Sequence, residues 1–107
     1  MPGVPGPPAV SVIDARCAEA GDGHQCRVVV SDTSGASTYD VSVRAGPFLA
    51  SLLPDPGFDD TERLVRETFA FLLEREPRSS ILARFDLPVV ERYFPDYPAE
   101  MRRRLSR

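Results

Sequence analysis

HQCRVVVSD, residues His24 to Asp32, sets Cys26, Val28 and Val30 against Gln25, Arg27, Val29 and Ser31. Successive side chains of a strand point to opposite faces, so this alternation describes a strand with one buried and one wet side. The same period recurs on either flank, in AVSVIDARC (Ala9 to Cys17) and STYDVSVRA (Ser37 to Ala45). The joining segments AEAGDG and TSGA both contain the Gly that tight hairpins favour. A three-stranded antiparallel meander follows. Its faces suggest a register: Cys17 opposite Cys26, Ala15 opposite Val28 and Ile13 opposite Val30. A turn centred on Ser34-Gly35 would then put Val30 by Tyr39, Val28 by Val41 and Cys26 by Val43. Slipping by one residue would turn the apolar set to water, whereas a slip of two keeps the faces intact. The opposite face carries Asp14, Arg16, Gln25, Arg27, Asp40, Ser42 and Arg44, with Val12 and Val29 among them.

A sheet with one apolar face needs a cover. In GPFLASLLPDPGF the prolines at 47 and 54 leave room for only a turn or two of helix. DDTERLVRETFAFLLEREP is the main helix. Asp59 with Glu62 has capping-box spacing, Asp60 and Thr61 are rival caps, and Pro77 ends the run. Leu64, Val65, Thr68, Phe69, Leu72 and Leu73 form an apolar stripe, and Glu62 with Arg66 and Arg63 with Glu67 are four apart on the wet side. Phe71 falls at the edge of the stripe, either packed under the C-terminal segments or exposed as a contact point. Beyond Pro77, Ser79 or Ser80 caps a short helix ILARF, Pro88 opens a second helix VVERYF, and Pro98 opens a third, AEMRRRLSR. In this last helix Glu100 faces Arg104.

The first nine residues, MPGVPGPPA, hold four of the eleven prolines and read as a disordered tail. Residues 10–107 then form one α+β domain, with the meander over 10–45 and helices over 46–107. No basic start followed by an apolar run marks a secretory signal, and no stretch approaches a membrane span, so the expectation is a soluble, cytoplasmic protein. All thirteen basic side chains are Arg and the formal net charge is −3. Binding to phosphates needs a concentrated basic surface, which this balance does not provide.

FLLEREPRSSILARFDLPVVERYFPDY, Phe71 to Tyr97, resembles a signature of short, uncharacterised bacterial proteins that also begin with a small β segment. The resemblance implies no activity, ligand or site residue. SSILARFDLPVVERYFPDYP, Ser79 to Pro98, also has the outline of a helix-turn-helix, and ERYFP is similar to the end of the recognition helix in TetR-type repressors. The spacing from Leu87 to Tyr93 is about two residues short of that motif. Pro88 stands where a Ser or Thr cap belongs, and Glu91 would face phosphate. A packed helical corner accounts for the same residues, so DNA reading is disfavoured.

Cys17, His24 and Cys26, with Asp22 nearby, fall short of a structural zinc set, which needs four ligands, commonly with closely spaced cysteines. Both sulfurs point into the apolar face, where free Cys behaves as a small hydrophobe. Buried thiols are therefore expected, with a Cys17–Cys26 bridge as the alternative. His24 is the only imidazole and sits beside a turn, away from Ser31-Asp32, so no nucleophilic triad assembles. No Gly-rich loop joins a strand to a helix to cradle phosphate. No catalytic residue, cofactor, metal or small-molecule ligand is inferred.

What remains is surface. MRRRLSR reads as a solvated helix end or as a contact for an acidic partner, and the rings of Phe85, Tyr93, Phe94 and Tyr97 exceed what a small corner needs. The sequence thus points to a non-catalytic protein–protein interaction module, working as an adaptor, subunit or homodimer through an outer strand edge or the aromatic corner. Its candidate partner-binding residues are Phe71, Tyr93, Tyr97, Arg102, Arg103 and Arg104. The alternative is a nucleic-acid-binding regulator using 79–98 and the arginine-rich end.

Overall fold

The computed structural model describes residues 11–53 and 58–106. The tail expected over 1–9 lies outside them, as does the side chain of Asp59 with its expected cap. β1 (Val12–Ala20), β2 (Gly23–Asp32) and β3 (Gly35–Arg44) form the antiparallel meander. Between β1 and β2 the register is the expected one, with Ile13, Ala15 and Cys17 opposite Val30, Val28 and Cys26. Gly21, at φ 61°, supplies the positive dihedral of this two-residue turn. Gly23 has a different reason to be glycine: a Cβ there would lie 2.2 Å from the Val43 carbonyl oxygen on β3.

Between β2 and β3 the register differs by two residues from the expectation. Val28 faces Tyr39, Cys26 faces Val41, and the turn is centred on Thr33 and Ser34. The cause is the Asp32 carboxylate, which accepts the Ser34 amide at 2.7 Å and the Ser34 hydroxyl, folding the chain one residue earlier than a Gly-centred turn would. A shift of two preserves the faces, so Val28, Val30, Tyr39, Val41 and Val43 are all buried on one side.

A short helix α1 (Pro47–Leu52) leads to the main helix α2 (Phe58–Leu73), which lies against the apolar face with Phe69 against Tyr39 at 4.9 Å between ring centroids. Leu64, Val65, Thr68, Phe69 and Leu72 are buried as the stripe predicts. The expected wet-side pairs give way to longer reaches. Glu62 accepts the Cys17 amide at 2.8 Å, Arg63 donates to the Arg104 carbonyl, and Glu67 lies 3.8 Å from the Arg104 guanidinium.

The largest correction concerns ILARF. After a single 3-10 turn at Arg78–Ser80 the chain is extended, and β4 (Arg84–Asp86) pairs in parallel with β3, making a four-stranded mixed sheet of order β1-β2-β3-β4. The expected helix is absent for two reasons. Pro88 disfavours helical geometry at Leu87, and the outer edge of β3 has backbone groups that need partners. The Asp40 amide donates to the Ala83 carbonyl at 2.8 Å, and the Leu87 amide to the Ser42 carbonyl at 3.0 Å. Phe85 and Leu87, alternate along the segment, turn inward, and Phe85 comes within 6.0 Å of Phe69. The chain closes with α3 (Val89–Tyr93) and α4 (Tyr97–Leu105), as the prolines predict.

Candidate functional site: an apolar groove at the C-terminal corner

The buried side chains of the corner belong to the same hydrophobic core as the sheet and α2. Tyr97 is fully buried, and since the single Thr68 hydroxyl proton goes to the Leu64 carbonyl at 2.8 Å, the Tyr97 hydroxyl donates to Thr68 at 2.7 Å. Burial pushes the Tyr97 phenol well above its ordinary pKa. Phe71 is also fully buried, edge-on to Phe94 at 5.8 Å and 5.5 Å from Tyr97, with the Arg75 guanidinium 3.7 Å above its ring. Phe71 and Tyr97, expected at a partner surface, are interior residues. Their place in the corner is to hold α3 and α4 against α2.

The arginines sort differently. Arg104 is largely covered and is held by Glu74 at 2.8 Å and Glu100 at 3.0 Å. Arg103 also binds Glu100, whose carboxyl is pulled down to about 2 by the hydrogen bonds from Arg103 and Arg104. Only Arg102 of the three is exposed without an ion pair among the described residues. With β4 in place of its expected first helix, the 79–98 segment lacks helix-turn-helix geometry. The strand edges are also partly taken: Glu62 holds an outward amide of β1, while β4 and Arg78 cover β3, the latter donating to Ser37 at 2.7 Å.

At the other end, Cys17 and Cys26 are joined by a disulfide, which corrects the expectation of thiols. Their Cα atoms are 4.0 Å apart, the close approach of a non-hydrogen-bonded cross-strand pair; the Cys17 amide points outward to Glu62 instead. Both sulfurs are spent in this bridge, and no group of three His, Cys, Asp or Glu suited to a metal forms among the described residues.

What stands open is a groove of about 230 Å³ between the end of α2, the segment 80–85 and α3. Leu72, Phe85 and Val90 form its floor, and Ile81 and Phe94 its half-buried walls. At its rim are Leu82 and Tyr93, 50% and 66% exposed. Exposed large apolar side chains are few, and two of the three among the described residues meet at this one depression. Among the described residues, Glu76 is the sole charged side chain lining it. Tyr93 is thus the one candidate aromatic that the structure brings to an accessible site. Leu82 was missed because a helical ILARF gives it no particular role; in the extended chain, Leu82 and Ala83 lie outside while Phe85 turns in.

No protein-family model matches the chain, and neither a curated protein nor a solved structure shows significant similarity to it. No helix among the described residues is long and apolar enough to cross a membrane.

Proposed function

We propose that this chain is a small, non-catalytic protein–protein interaction module that receives an extended apolar segment of a partner in the corner groove. The single observation that carries this reading is the convergence of Leu82 and Tyr93, both exposed, on a concave apolar floor made of Leu72, Phe85 and Val90. Anchor pockets of this kind, an aromatic rim over a desolvated floor, supply most of the energy in protein recognition. Phe94 in its wall packs edge-on against the buried Phe71, which favours a site formed before the partner arrives. The compartment of this reading is the cytoplasm. Its thiol pools act on accessible disulfides, and here Cys26 has no exposed surface and Cys17 only 6%, so the bridge is reached only when the sheet opens.

Photo-cross-linking tests the location of the contact. A photoreactive phenylalanine derivative at position 93 is expected to capture a protein partner or a second copy in living cells. The same group at Arg16, on the wet face of the sheet, is expected to capture none. Equal capture at both positions, or none at 93, would remove the groove from the account.

A further inference from the structure

We propose that the segment received at the corner belongs to a second copy of this chain: two copies join their sheets edge to edge through β4, in an antiparallel two-fold register that sets Arg84 of each opposite the partner's Asp86. The inference rests on the groove being the recognition surface, and it names the partner.

The first support is an open edge. β4 is the last strand of the sheet, and no described strand lies beyond it. Ala83 accepts from the Asp40 amide at 2.8 Å and Leu87 donates to the Ser42 carbonyl at 3.0 Å. Backbone groups alternate sides along a strand, so the amides and carbonyls of Arg84 and Asp86 point away from β3. Leu82, Ala83 and Arg84 are all exposed here. The opposite edge of the sheet differs, because Glu62 takes up the outward Cys17 amide of β1. An uncovered edge is a template for a further strand, and an antiparallel copy of itself supplies one.

The second support is charge, which selects both occupant and register. On the wet face Arg27 lies 3.7 Å from Asp40, and Arg84 lies 3.9 Å from Asp40 on its other side, so the row alternates in sign and stops at an arginine whose side chain is 84% exposed. The next strand should bring an acid. Asp86 is the acid on the same face of the same strand, and it forms no ion pair among the described residues. Outward backbone groups must meet outward groups of the other copy, which leaves few two-fold registers. Arg84 opposite Arg84, or Asp86 opposite Asp86, sets like charges together, and the latter also puts Arg84 against Pro88, which has no amide to give. Arg84 opposite the partner's Asp86 joins opposite charges at both symmetric positions, with the backbone groups of the pair bonded reciprocally.

The same register engages the groove. Phe85 of its floor comes beside the partner's Phe85, and Leu82 passes the end of the partner's β4 toward Pro88 and Val89, the latter a lining residue. A strand of three residues is too short to hold a pair alone, so the apolar rims of the two grooves supply the remaining contact.

Sedimentation equilibrium of the full chain between about 1 μM and about 1 mM tests this over ordinary to weak affinities. The mass is expected to reach twice that of one chain, and the Arg84 and Asp86 amides are expected to exchange more slowly as concentration rises. Arg84→Asp and Asp86→Arg are each expected to weaken self-association at least about tenfold, because the reversed contact occurs at both symmetric positions. An equal mixture of the two variants is expected to regain it, since every contact in the mixed pair joins opposite charges; such recovery also shows that both variants fold. A chain monomeric up to about 1 mM, with position 93 still cross-linking another protein, would overturn the second copy and leave the groove as the recognition surface. A monomer with no capture at position 93 would overturn both. Self-association abolished by Leu82→Glu but unchanged by either charge reversal would overturn the edge pairing and keep the groove reading. Self-association untouched by all three variants would overturn both.

Discussion

Cys17 and Cys26 show how a pair of residues can be placed correctly and still be misread chemically. Period-two alternation put them opposite one another, but whether two facing sulfurs bond is not written in hydrophobic pattern, and a cytoplasmic compartment argued for thiols. A bridge of sequence separation 9 removes chain entropy from the unfolded state worth about 2–3 kcal/mol. The double variant Cys17→Ala and Cys26→Ala is expected to lose about that much in urea unfolding, with an unchanged fold. Dithiothreitol alone should open the bridge slowly, and quickly once urea is present, which thiol labelling would follow. The two aromatic types separate in the same way. Phe71→Ala removes a fully buried ring packed on Phe94, Tyr97 and Arg75 and should cost about 3–5 kcal/mol in the same assay. Tyr93→Ala, at an exposed rim, should stay within about 0.5 kcal/mol.

Among the elements, the meander, the main helix and the last two helices were legible because each rests on a local rule: alternation, a stripe at three and four, a proline at a first turn. β4 was not. ILARF has five residues and no decisive period, and it is the unpaired edge of β3, about forty residues earlier, together with Pro88 just beyond it, that makes it extended. The β2–β3 register was missed by two for a local reason. The Asp32 carboxylate outcompeted the Ser34-Gly35 turn, and face patterning cannot distinguish an even slip. The groove was invisible for the same cause as β4, since its wall exists only when 81–87 is laid along the sheet. Amide hydrogen exchange tests this element directly. The Asp40 and Leu87 amides, bonded to Ala83 and Ser42, should be protected like the interior of β2. Fast exchange at both would mean that β4 does not pair with β3.

Across the molecule, two networks join distant segments and share one response to acid. Asp32 ties the β2–β3 turn to Arg78, 3.2 Å away, and its carboxyl is pulled down to about 2 chiefly by the hydrogen bonds from Ser34 and then by Arg78. Glu100 ties α4 together through Arg103 and Arg104, and Arg104 reaches on to Glu74 of the α2 end. Both carboxyls have a lower pKa folded than unfolded, so the unfolded chain takes up their protons first. Their stabilisation is complete above about pH 4–5, the ordinary carboxylate range, and is lost as pH falls toward about 2. Thermal unfolding followed between pH 6 and pH 2 should show a midpoint falling mainly below about pH 4, and Glu100→Gln should flatten that fall. The networks brace the corner whose groove carries the proposed function, and the claim that the groove is the recognition surface meets its most direct test in one variant. With the cross-linked partner or second copy in hand, calorimetric affinity is compared between the parent chain and Leu82→Glu. The account predicts at least about a tenfold loss of affinity, about 1.4 kcal/mol, with unfolding free energy unchanged within about 0.5 kcal/mol; equal affinity in the two chains would contradict it.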